Sequence, residues 1–463
     1  MADLLGLARM TVSSSGTGSI TLNSAVTGFA TFDTAYNATA GSTTPPGGVQ
    51  VQYAINDTTQ SEQGTGVYTS SNTLLTRGSS AQKSVITSIS TSQTTPIAMS
   101  NAAQVFITPT PQYYNVLTGK NKIINGAMEI DQRNVGAASS TALNTYWLDR
   151  WNGGTSGTGV FTIQQSTTAP AGFKNSMLIT VTTADAAIAT TDAYYFNQKI
   201  EGINCTDLNF GASTAKTITL SFWVRASVTG TYGGVLSNSA INRSYPFQYT
   251  VNTANTFEYK TVTVAGDTTG TWLTTTGVGL TLIFDLGSGA TYQGAAGAWA
   301  ASALLTATGS TQMISTNGAT LYISGVQIEA GALATSFERR QYGEELALCQ
   351  RYYWKSFNQT TAPAQNVGIL SGEITNFTMR AGANLIVCPS LSFPVTMRAT
   401  PTVVFYNPAA ANAQMRDESI AVDCTSTTTR TVSDNSISIQ AVADAGTVVG
   451  SIMGVHVTAS IEL

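Results

Sequence analysis

Apolar residues recur at every second position through most of this chain, the pattern of half-buried β-strands. In "KTITLSFWVRAS", Ile218, Leu220, Phe222 and Val224 share one face, with Thr219, Ser221, Trp223 and Arg225 on the other. "TGVGLTLIFDLG" aligns Val278, Leu280, Leu282, Phe284 and Leu286 in the same way, and "ATLYISGVQIEAG" supplies a further strand. Long Gly/Thr loops separate these strands and no helical period interrupts them. Residues 125–335 are therefore expected to form an antiparallel sandwich of jelly-roll type. Before it, "VQVQYAIND" alternates Val49, Val51, Tyr53 and Ile55 against Gln and Ala, and "AAQVFITPT" does the same with Val105 and Ile107. Turn signals such as "TPPGG" and "SSSGTGS" punctuate that stretch. A compact β-domain over 1–112 and a connector over 113–124 are expected. After the sandwich, 358–463 is β again. "GVHVTASIEL" puts Val455, Val457, Ala459, Ile461 and Leu463 on one side, as a strand running to the last residue and pinned there. The fold class is all-β: a small N-terminal β-domain, a central jelly roll, one short helix and a C-terminal β-sandwich.

The helix is the exception to the alternation. "FERRQYGEELALCQRYYWK" spends seven charged residues on nineteen positions. Tyr342, Leu346, Cys349 and Tyr353 are spaced four, three and four residues apart, as on the apolar seam of a helix. Thr335 and Glu338 are placed for a capping box ahead of it. Residues 336–357 are thus a helical junction between two β units. Its seam is filled either by the preceding sandwich or by copies of itself in an oligomer.

Composition narrows the function classes. Charged residues are 10% of the chain, against about 25% in an average soluble domain. Hydroxyls and small residues take their place, which suits the solvent faces of sheets. A net charge of −4 and the lack of any Lys/Arg run give no footprint for nucleic acid. "MADLLGLARM" does not read as a secretory signal, and no segment approaches the roughly 18–20 apolar residues of a membrane span. The four cysteines, Cys205, Cys349, Cys388 and Cys424, lack C-x-x-C spacing and read as buried thiols, Cys388 with Cys424 being the one pair conceivable within a domain.

Catalytic and metal signatures are missing. The single histidine, His456, lies within a strand among core-facing valines, with no nucleophile elbow near it. No HExxH, phosphate-binding loop or EF-hand loop occurs, so no cofactor and no metal are expected. Asp131, Asp149, Asp285 and Glu329 are candidates for a glycosidase pair, yet each reads equally as a turn cap or an Arg partner. Aromatic side chains are the other available chemistry, because a flat ring stacks on the C–H face of a sugar while nearby loops bond its hydroxyls. Trp147 and Trp151 in "YWLDRW" read as core, and Trp354 as packing at a junction. Trp272, Tyr292 and Trp299 lie in or beside Gly/Ala/Thr-rich loops and are the candidate carbohydrate-binding residues, with loop packing as the competing role.

"NKIINGAMEIDQRN", "YWLDRW", "LSFWVRAS", "GTWLTTTGVGLTLIFDLG" and "LYISGVQIEAG…SFERRQYGEELALCQRYY" together resemble a carbohydrate-binding-module-like domain over about 121–355. That domain is common in tail fibre and other receptor-binding proteins of tailed bacteriophages. "FPVTMRATPTVVFYNP" and "VHVTASIEL" are similar to the terminal module that often follows it. "ARMTVSSSGTGSITLNSAVTGFATF", "VQYAIND" and "AQVFITPTP" resemble a small virion-associated β-domain. The resemblance implies a non-enzymatic virion protein, usually a homotrimer, docked on other virion proteins through its N-terminal domain and facing host surface glycan with the rest. It implies assembly in the host cytoplasm and release by lysis, with no membrane insertion. A head fibre, decoration or collar protein is the alternative of a different class, and a capsule or lipopolysaccharide depolymerase is a third.

Overall fold

The computed structural model describes residues 9–27, 29, 31–32, 49–57, 60–69, 73–77, 98–107, 119–140, 145–376 and 385–463. The expected turn "TPPGG", residues 113–118 of the expected connector, and the side chains of Val49 and Val51 lie outside the described residues. Two compact units divide between Lys120 and Asn121.

In the first unit, six antiparallel strands close into a barrel in the order Arg9–Val12, Ile20–Ala25, Leu74–Arg77, Gln60–Thr69, Val49–Asp57 and Gln104–Ile107. Closure comes from Arg9 opposite Phe106 and Met10 opposite Val105. Alternation does what period two demands: Tyr53, Ile55 and Val105 join Met10, Ile20 and Leu75 in the core. A buried ion pair shares that interior. Glu62 accepts from Arg77 Nη1 at 2.8 Å and from the Tyr53 hydroxyl at 2.6 Å, with both charged side chains fully buried.

The second unit opens on a sandwich of two six-stranded antiparallel sheets. One has the order Glu258–Val264, Ile218–Ala226, Thr320–Ala330, Ser176–Thr183, Val160–Ser166, Ser139–Ser140. The other runs Ser244–Val251, Gly230–Ser237, Val278–Asp285, Tyr194–Glu201, Trp151–Thr155, Thr145–Leu148. Ile218, Leu220, Phe222 and Val224 meet Leu280, Leu282, Phe284 and Leu286 between them, and Trp147 and Trp151 are buried there too. Residues 121–124, expected as the end of a connector, belong to this sandwich. Lys122 N–H donates to Ile328 O at 2.9 Å and Ile124 N–H to Gln198 Oε1 at 2.8 Å, because a buried strand edge has to satisfy its backbone groups.

The C-terminal part packs a sheet built on Met453–Ser460 against a four-stranded sheet that includes Ser426–Val432 and Ser436–Val442. Val455, Val457 and Ala459 point into the core as expected. Cys388 and Cys424 are there as free thiols, and all four cysteines are free. The expectation of one strand through Leu463 needs correction. The strand stops at Ser460; Ile461 still packs on the C-terminal core as expected, and Glu462 and Leu463 dock on the sandwich.

Candidate functional site

Two of the three candidate aromatics come together. Trp272 sits in the loop before Val278–Asp285 and Trp299 in the loop after it, and their ring centroids are 5.3 Å apart, edge to face. Phe210 completes the cluster at 4.8 Å from Trp272 and 5.8 Å from Trp299, and Tyr245 meets Trp299 at 5.3 Å. Both indoles bond main chain of the loop before Val278–Asp285: Trp272 Nε1 donates to Thr269 O at 3.1 Å and Trp299 Nε1 to Ala265 O at 2.7 Å. The supporting loop is fixed by Arg243, whose Nε and Nη2 each reach the Asp267 carboxylate at 2.7 Å. Gly211 is required there. Its φ of +87° is left-handed, and a Cβ would lie 2.9 Å from Gly270 O.

Beside this cluster lies a cavity of about 200 Å³, walled by Leu208, Phe210, Trp272, Leu273 and Leu280 and rimmed by Thr206, Asn209 and Thr274. None of its lining residues is charged. Burial pushes the Cys205 thiol in its wall up to about 12, so the sulfur stays protonated and unreactive. Apolar ring walls with a neutral hydroxyl and amide rim suit an uncharged ligand that has one C–H face and several hydroxyls. Phe210 and Tyr245 were not legible as site residues. Phe210 is a single aromatic in an irregular loop, and the alternation of its strand marks Tyr245 only as core.

Tyr292 is elsewhere. It ends a short turn, Ala290–Tyr292, on the outer side of the second sheet, near enough to Tyr195 for the two phenols to interact. That outer face is closed by the chain itself. Asn152, Asn197, Ile283, Val235 and Ser237 point outward along the register and are nevertheless buried. Leu304 lies on Val235 and Ile283, while Leu463 O accepts from the Tyr146 hydroxyl at 2.8 Å and Lys199 Nζ at 2.9 Å. The outer face of this sheet is therefore covered along these positions, and the Trp272 corner lies apart from it.

The charged helix is the junction. It spans Tyr342–Gln350, and the capping contact is Gln341 N–H to the Glu344 carboxylate at 3.2 Å. Thr335 and Glu338 do not cap it. Thr335 donates to Glu329, and Glu338 accepts from Asn121 N–H at 2.7 Å. Leu346 and Cys349 pack with Ile124, Ile130 and Tyr352 of this same chain, so the seam is occupied in cis. Tyr342 at the helix start is 51% exposed. Tyr353, expected on the helix, lies instead in strand Tyr353–Lys355, because the helix ends at Gln350 and Tyr353 pairs with Ser460. Arg351 grips Glu201 through Nε at 2.9 Å and Nη2 at 2.7 Å, and the Tyr352 hydroxyl bonds the same carboxylate at 2.7 Å. Arg150 stacks 3.5 Å over the Tyr352 ring and pairs with Glu462, and Arg133 stacks 3.8 Å over Tyr353. Of the seven charges, Glu338, Arg340 and Glu345 hold residues 121–125 and Arg351 holds Glu201, while Glu344 caps the helix and Lys355 bonds the main chain of its own layer.

No protein-family model matches the chain, and no curated protein does. Solved structures similar to it include a carbohydrate-binding module of family 4, 17% identical with a TM-score of 0.22 over 45% of this chain and 98% of that one. A putative sugar-binding protein from Bacteroides thetaiotaomicron is 12% identical, with a TM-score of 0.26 over 46% of this chain and 100% of that one. The enzymatically active domain of tailspike protein 4 of bacteriophage CBA120 is 13% identical, with a TM-score of 0.25 over 46% of this chain. Only 21% of that tailspike chain is covered.

The four candidate carboxylates all serve the fold. Asp131 accepts Asn134 N–H at 2.9 Å and Gly136 N–H at 2.7 Å. Asp149 accepts the main chain and side chain of Gln132, and Asp285 accepts Gly287 and Ser288 N–H. Burial raises both Asp149 and Asp285 to about 6. Glu329 holds Thr335 through N–H and hydroxyl at 2.8 and 2.6 Å. His456 is buried, stacked on Phe357 at 4.0 Å, with Nδ1 2.9 Å from Ser356 Oγ.

Proposed function

We propose that this chain is a non-catalytic attachment protein of a tailed-phage virion whose sandwich binds host cell-surface glycan at the Trp272 corner. The observation that carries this reading is a partly buried aromatic pair, Trp272 and Trp299, next to a neutral cavity of about 200 Å³ at the loop end of the sandwich. The carboxylates support binding over cleavage, since Asp131, Asp149, Asp285 and Glu329 are each bound to hydrogen-bond donors of their own fold. In this reading the barrel unit docks on other virion proteins and the protein resides in the virion. The chain acts as a homotrimer whose contacts lie away from the helix seam, because Leu346 and Cys349 already have partners.

A structural role on the head or collar is the second reading, and the filled outer face of the second sheet favours it. One experiment separates the two. The full chain and Trp272→Ala are tested for binding to host-derived surface polysaccharide, with polymer size followed in parallel. Binding by the wild type that falls at least about tenfold in the variant, with the polymer intact, is the expected result; loss of one stacked ring accounts for roughly 1.4 kcal/mol or more. No binding by the wild type favours the structural reading, and shortening of the polymer overturns the non-catalytic one. Light scattering of the full chain is expected to return three times the 48.3 kDa chain mass. A monomeric mass rejects the trimer.

A further inference from the structure

Strand Met453–Ser460 buries Met453, Val455, Val457 and Ala459, so Gly454 and His456 face away from that core. Two strands flank Gly454. Thr375 of Ile374–Asn376 pairs with it on one side and Arg416 of Arg416–Asp417 on the other. Glu373 leads into the first of these strands and Glu418 follows the second. Their side chains reach over the strand from both sides and meet above the glycine. A Cβ at Gly454 would lie 2.3 Å from Glu418 Oε1 and 2.6 Å from Glu373 Oε1. The backbone at Gly454 is not left-handed, so the glycine is there for room and not for conformation. Both oxygens of Glu373 and Oε1 of Glu418 are shut off from solvent without a donor. Two ionised carboxylates cannot bond each other, but with one proton between them one becomes the donor and the other the acceptor.

We propose that Glu373 and Glu418 form a proton-operated clasp across strand Met453–Ser460, which holds the two flanking strands together while it keeps one proton and parts them when that proton is lost. The surrounding charges leave the pair to itself. Arg416 is committed to Asp423 Oδ1 at 2.7 Å and Ala421 O at 2.8 Å, and Lys355 to the main-chain oxygens of Gln359 and Thr361. Asp417 alternates to the opposite face and accepts Ser419 N–H. His456, two residues along on the same face, is held neutral by burial, which lowers its affinity for a proton. Burial, and then the neighbouring Glu418, raise Glu373 from the ordinary 4.5 to about 8, a value that belongs to the pair. The direction of the effect follows. An acid raised in the folded state leaves stability intact below its unfolded value, erodes it as pH climbs, and exerts its full penalty above about 8.

The test is amide hydrogen exchange of the full chain near neutral and in mildly alkaline buffer, in wild type, Glu373→Gln and Glu418→Gln. Wild type is expected to lose protection over residues 370–376 and 416–421 in alkali, beyond the base-catalysed rise common to all amides. Either Gln variant supplies a permanent amide donor and is expected to keep it. Equal alkaline loss in wild type and both variants overturns the clasp. So does a carboxyl-carbon NMR titration of wild type in which both glutamates ionise near the ordinary carboxylate value. That titration stands even if a variant fails to fold.

Discussion

Glu201→Ala is expected to destabilise the second unit by about 3 kcal/mol, because one buried carboxylate holds three donors from the junction. Arg351 supplies two of them and the Tyr352 hydroxyl the third, and the Glu201 side chain is fully buried. Removing it leaves the Tyr352 hydroxyl without an acceptor beneath the Arg150 guanidinium. Arg351 is 26% exposed and recovers part of its hydration, which keeps the cost at the low end of the roughly 3–5 kcal/mol typical of a broken buried pair. Glu201→Gln retains one acceptor oxygen and is expected to lose about half as much. Denaturant unfolding followed by hydrogen exchange at residues 342–355 reads the effect. A loss below about 1 kcal/mol for Glu201→Ala would mean that the junction is held by its other contacts, Arg150 and Arg133 with Glu462 among them, and not by this carboxylate.

Arg77→Met in the barrel is expected to cost more, about 4 kcal/mol. Both members of the Arg77–Glu62 pair are fully buried, so neither can recover water when the other is removed. Arg77 also ties down the loop before the second strand, with Nε and Nη2 each 2.9 Å from the carbonyls of Gly18 and Gly16. The double variant Arg77→Met with Glu62→Gln is expected to regain roughly half of the loss, since the stranded charge is gone and the Tyr53 hydroxyl keeps an amide partner. Thermal unfolding of the barrel unit, read at its own amides, measures this cycle. Strictly additive losses would refute direct coupling between the two side chains.

Alternation was enough to place the strands it was read on, because in a sheet the residue period is two whatever the sheet packs against. Ile218, Leu220, Phe222 and Val224, then Leu280, Leu282, Phe284 and Leu286, and Val455, Val457 and Ala459 are core-facing in the structure. The aromatic site was half legible. Trp272 and Trp299 meet, although nothing in their spacing of 27 positions says that two loops fold onto one corner. Tyr292 fell outside because the same Gly/Ala loop crosses from that corner to the other side of the sheet.

The chain's own sequence determined the all-β class, the strands whose alternation is quoted above, and the buried state of Trp147 and Trp151. Those follow from local periodicity and side-chain volume. Only the tertiary structure decided what fills the helix seam, why Tyr353 leaves it, how Glu462 and Leu463 reach the sandwich, and which carboxylates meet above Gly454. Each of those depends on groups far apart in sequence competing for one buried position. The winner is set by burial and hydrogen-bond satisfaction across the whole unit, which no short window contains.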